Sequence, residues 1–120
     1  QVWNEEGDQS EYLFQGNKVL LLSSNLTKMS DANLEAITQL FASLEKAPVE
    51  LIFMAAATQE EIDAVIAKNG WKIKGLQADA TVVKTIMRAN PGIMLLKDGV
   101  VVGKYHHNNT PDALEVLDLF

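Results

Sequence analysis

Apolar and polar positions along this chain follow two periods, and the switches between them outline its elements. Lys18 to Ser23 (Lys-Val-Leu-Leu-Leu-Ser) is a near-continuous apolar run, the pattern of a central strand covered on both faces. After a polar loop at 24–29, Leu34, Ile37, Leu40, Phe41 and Leu44 recur at helical spacing. They predict an amphipathic helix, with Ser30 as its N-cap and Asp31 at the positive end of its dipole. Pro48 closes the connection, and Glu50 to Ala57 repeats the buried-strand pattern through Leu51, Ile52, Phe53 and Met54. Thr58-Gln-Glu-Glu61 is a capping box that opens a second helix, with Ile62, Val65 and Ile66 inward and Gly70 at its end. Trp71 to Leu76 reads as a connector with some strand character, and Asp79 or Thr81 caps a short helix that buries Val82, Val83, Ile86 and Met87.

The stretch from Arg88 to Tyr105 reads as a helix end, a proline, a strand, a tight turn and a return strand. Ile93 to Leu96 is a short apolar run, Asp98-Gly99 is a two-residue hairpin signal, and Val100 to Val102 suit the returning strand. Pro91 stands where a helix must stop. Thr110-Pro111-Asp112 starts a last helix with proline at its first position, and Leu114, Leu117 and Phe120 begin its apolar stripe. Ahead of all this, Val2-Trp3, a turn at Gly7 and Tyr12-Leu13-Phe14 suggest an edge strand or arm ending in an apolar clamp. Its aromatics are expected to serve packing.

The order β-α-β-α-(α)-β-β-α joins a parallel pair through a right-handed crossover and adds an antiparallel hairpin. Each strand is too apolar to stand alone, so all share one sheet with helices on both faces. The 120 residues make one α/β domain, with an arm at 1–16 and a core at 17–120. Hydrophobic content of 48% and charged content of 22% are those of a folded domain. The net charge of −6 argues against nucleic acid and anionic membrane surfaces as partners. No apolar run reaches the roughly 18 residues a membrane-spanning helix needs, so no direct membrane insertion is expected from this segment. The sequence opens on Gln1 and stops inside an expected helix, as a piece of a longer protein would.

This order, with a proline opening the third core strand and Lys97-Asp98-Gly99 after it, resembles the thioredoxin fold over roughly residues 18–120. The resemblance implies a mixed four-stranded core sheet in the order 2-1-3-4, the third core strand antiparallel to the first. The arm and Gly16 to Leu22 are similar to the start of peroxiredoxin-like and TlpA-like branches. More narrowly, Ile86 to Gly99 and Gly103 to Asp112 resemble a soluble domain attached to some bacterial DoxX-family membrane proteins. That likeness implies a bacterial, membrane-associated parent with this domain outside the cytoplasm, in the periplasm.

Active members of the thioredoxin fold carry Cys-x-x-Cys where the first core strand meets its helix. Here that loop is Asn25-Leu26-Thr27-Lys28-Met29, and the chain has no cysteine. Dithiol chemistry needs a thiolate at the helix start and a second thiol to close the disulfide, so the family's oxidoreductase and peroxidase activities do not carry over. The resemblance does imply a cis-proline at Pro91, lying against that loop and leaving the preceding backbone to pair with an extended peptide. The expected site is therefore a binding groove formed by Asn25, Leu26, Thr27, Lys28, Met29, Asn90 and Pro91, for a protein or peptide partner. No catalytic residue, metal or cofactor is assigned. His106 and His107, adjacent on a strand, should point to opposite faces and not chelate one metal. Asn25-Leu-Thr27 and Asn108-Asn-Thr110 match the glycosylation sequon without functional weight. A second reading is an enzyme domain using a bound cofactor or a hydroxyl such as Ser23 or Ser24. A third is a structural or oligomerisation domain.

Overall fold

The computed structural model describes residues 2–120. Seven strands form one sheet: β1 (Val2–Asn4), β2 (Gly7–Asp8), β3 (Asn17–Ser23), β4 (Glu50–Ala55), β5 (Lys74–Ala78), β6 (Gly92–Lys97) and β7 (Val100–His106). Five helices accompany them: α1 (Ser10–Leu13), α2 (Leu34–Leu44), α3 (Gln59–Asn69), α4 (Ala80–Ile86) and α5 (Ala113–Leu119). The sheet order is β2-β1-β5-β4-β3-β6-β7. β3 runs parallel to β4 and antiparallel to β6. The four expected core strands thus stand in the expected order, and β5 extends the sheet beside β4.

β3 sits at the centre because both its faces are apolar. Val19 and Leu21 belong to a core shared with α2, Trp71 and Val116 of α5. Leu20 and Leu22 belong to a second core with Leu13, Val83 and Met87. The Asp98-Gly99 turn has positive φ at both residues (49° and 83°), as its sequence requires. Thr58 and Glu61 form the capping box of α3, and Gly70 ends that helix at φ 66°. Gly75 is bare because Ile62 and Ile66 of α3 press onto β5, where a Cβ would meet Ile62 at 2.7 Å.

Several local expectations are corrected. The stretch read as a connector at 71–76 leads into a full strand, β5, over Lys74–Ala78. α2 begins at Leu34 behind Asn33, while Ser30 instead accepts the Ala32 N–H in a turn before the helix. α5 is capped by Asp112, so Pro111 lies outside it; Val116 faces the core while Leu114 and Leu117 face solvent. The residues before Phe14 form the short helix α1, and Phe14 itself is 62% exposed. Tyr12 packs as expected, but between charges: the ammonium groups of Lys18 and Lys74 lie 4.2 and 4.1 Å from its ring centroid. Lys18 is buried beneath it and pairs with Glu50 at 3.2 Å. Burial, then the neighbouring Lys74, pushes the Lys18 pKa below its usual 10.5.

Candidate functional site

The loop after β3 is shaped by two asparagines. The Asn25 side-chain oxygen accepts the N–H groups of Thr27 (3.0 Å) and Lys28 (3.3 Å), which folds Leu26–Lys28 into one turn of 3-10 helix. That turn directs Leu26 and Met29 against the first core and leaves Thr27 and Lys28 exposed. Across from it, Asn90 precedes Pro91, and the bond between them is cis. Pro91 is buried at the start of β6. Gly92 follows because Met87 crosses directly over it, leaving no room for a Cβ.

Asn90 holds three segments together. Its Oδ1 accepts from the Ser23 hydroxyl at 2.7 Å, at the end of β3. Its Nδ2 donates to the Asn25 carbonyl at 2.9 Å. Its own carbonyl accepts the Ser30 N–H at 3.0 Å. Ser23 is fully buried, so its hydroxyl depends on this contact for satisfaction. We call this arrangement the Asn90 latch. It fixes both ends of the loop that carries Thr27 and Lys28.

The latch changes two expectations. The resemblance implied a backbone ahead of the proline that is open to a peptide, yet the Asn90 carbonyl is already taken by Ser30. The hydroxyl offered by Ser23 to the enzyme reading is buried and donated to Asn90, so it faces no substrate. Of the seven predicted residues, Asn25 and Asn90 are bonded directly, Leu26 and Met29 turn inward, and Pro91 is covered. Thr27 and Lys28 are the exposed ones, while Asn25, Leu26, Met29 and Asn90 are half-buried. Ser23 and Ser30 complete the latch, and nothing local in the sequence joins either of them to Asn90.

The histidines lie elsewhere, at the end of β7. Their rings stack with centroids 4.2 Å apart, contrary to the expected opposition, because the strand ends at His106 and His107 opens a 3-10 turn. His107 Nδ1 lies 2.7 Å from Asn33 Nδ2 at the start of α2. Burial, then the neighbouring His106, pushes the His107 pKa below 6.5. Among the described residues, no three His, Cys, Asp or Glu side chains are grouped so as to hold a metal ion.

No family model and no curated protein matches the sequence. Solved structures do. A thiol-disulfide oxidoreductase from Bacteroides fragilis superimposes with a TM-score of 0.67 at 16% identity, covering 98% of this chain and 93% of that one. StoA from Bacillus subtilis gives 0.61 at 11% identity, over 99% and 96% of the two chains. A thioredoxin-like protein from Porphyromonas gingivalis gives 0.61 at 16% identity, over 98% and 84%. The fold is thioredoxin-like. At these identities the likeness carries the fold alone. A thioredoxin-like chain without cysteine has no thiol of its own to exchange.

Proposed function

We propose that this domain is a redox-inactive thioredoxin-like module that docks a protein or peptide partner on the loop at 25–29 beside Asn90-Pro91. The Asn90 latch is the observation that carries this reading. A loop tied at both ends presents Thr27 and Lys28 in one geometry, so a partner meets little ordering cost on binding. Leu26 and Met29 lend the platform an apolar base. With the Asn90 carbonyl engaged internally, the partner is held by the outer surface of the loop and does not extend the sheet.

We also place the domain as an accessory part of a larger membrane-associated bacterial protein, facing the periplasm. This rests on the DoxX-type resemblance of residues 86–99 and 103–112. No helix among the described residues is long and apolar enough to cross a membrane, so a span would lie in another segment. Coding sequence before Gln1 with several hydrophobic spans would support the parentage; an immediate start codon would oppose it.

The docking reading is tested with a displayed library of unstructured peptides. Sequences enriched on the wild-type domain should lose binding to a Thr27→Arg, Lys28→Glu variant and keep it on a Lys68→Glu control in α3. Enrichment of peptides indifferent to the loop variant, or none at all, would defeat the proposal. Insulin reduction above background would defeat its redox-inactive half.

A further inference from the structure

The two faces of the sheet are covered unequally. One carries α2, α3 and α5, and the other only the four-residue α1 and the seven-residue α4. Between α1, α4 and the sheet lies a cavity of about 370 Å³, within the roughly 300–1,000 Å³ typical of ligand pockets. Its floor is Leu20, Met54, Met94 and Leu96, all buried, and Val82 and Ile86 of α4 form one wall. Phe14 and Val101 flank its mouth at 62% and 47% exposure.

The lining states the chemistry of an occupant. Its one polar side chain is Ser10, whose hydroxyl oxygen already accepts the Val2 N–H at 3.2 Å. No charged side chain of the described residues lines it. A polar ligand inside would lose its hydrogen bonds to water without replacement, so the buried part must be hydrocarbon. Met54 and Met94 give the floor soft, adaptable side chains. At roughly 30 Å³ per group, as for one water, the space accommodates a chain on the order of ten carbons. That suits one chain and not the two of a phospholipid.

A charge stands beside one of the lining residues. β7 pairs with β6 so that Val101 lies opposite Leu96 and Lys104 opposite Met94. Lys104 therefore shares the face of the cavity floor at the open edge of the sheet, and it is exposed. Asp98, in the turn between β6 and β7, accepts the Gly16 N–H at 2.8 Å. We propose that this cavity binds one free medium-chain fatty acid, its alkyl chain between α1 and α4 and its carboxylate at Lys104. The site is separate from the latched loop and does not depend on its role.

Decanoate is the probe, titrated below its aggregation concentration and followed calorimetrically. One-to-one saturable binding is expected. Ile86→Trp, which fills the cavity, should weaken it tenfold or more. Val101→Trp, which obstructs the exposed mouth without touching the core, should do the same if Ile86→Trp fails to fold. Lys104→Glu should weaken decanoate by roughly two- to fivefold, the scale of an exposed ion pair, and leave decanol unchanged. Absence of saturable binding, or affinity indifferent to Val101→Trp, would overturn the proposal. So would flotation of the protein with phosphatidylglycerol vesicles that is abolished by Val101→Trp, since that would assign the cavity to membrane lipid.

Discussion

Asn90 is the residue on which the site turns. Truncating it strands the buried Ser23 hydroxyl and releases the carbonyl of Asn25. Leaving one buried polar group unpaired costs about 1–3 kcal/mol. Asn90→Ala should therefore lower the unfolding free energy by about that amount, read from urea denaturation with the m-value unchanged. A second residue-scale prediction concerns Tyr105 in β7. Burial first, and then the nearby Glu115 carboxylate, push its phenol up to about 12 from 10.0. The unfolded chain releases that proton near pH 10 while the folded chain keeps it, so the contribution is lost as pH rises from 10 to about 12. The lowered pKa of Lys18 acts in the opposite sense as pH rises toward 10.5. The comparison that isolates Tyr105 is thus wild type against Tyr105→Phe, whose stability difference should drift in favour of the variant across that window.

At the scale of elements, the loop after β3 stands in this proposal as the counterpart of a dithiol turn, without its thiols. The Met29 N–H bonds to the Leu26 carbonyl at 3.3 Å, closing a four-residue turn. Turns of this kind hold their end Cα atoms within about 7 Å, close to the reach of a disulfide. Leu26→Cys with Met29→Cys should oxidise to an intramolecular disulfide under mild oxidant, seen as loss of two titratable thiols without dimer formation. Persistent free thiols would show that the loop is not the counterpart of an active-site turn. Elements were legible in the sequence where one requirement dominated. β3 and β4 are continuous apolar runs because both faces are covered, and α3 announces both its ends through Thr58, Glu61 and Gly70. β5 was faint because its residues answer to distant neighbours. Lys74 is drawn to Tyr12, and Gly75 yields to Ile62. In α5 two stripes compete at helical spacing, and burial of Val116 decided against Leu114 and Leu117.

For the whole molecule, a right-handed crossover and a tight hairpin gave a parallel pair and an antiparallel pair in one sheet, while the strand order itself came from the resemblance to the thioredoxin fold. The candidate site was placed by the resemblance, at the junction of β3 and β6, and the latch within it was not legible, because it joins Ser23 to Asn90 across 67 positions, a separation no local pattern records. The unequal covering of the two faces was equally invisible, since it depends on how short α1 and α4 turn out to be. The proposed platform is a loop held to the sheet by hydrogen bonds to Asn90. Native-state amide exchange at Ser30 tests this most directly, because its N–H ends on the Asn90 carbonyl at 3.0 Å. We predict that the Ser30 amide is strongly protected in the wild-type chain and exchanges at least tenfold faster in Asn90→Ala. A Ser30 amide exchanging at the rate of an unstructured peptide in the wild type would contradict the latch and the docking platform built on it.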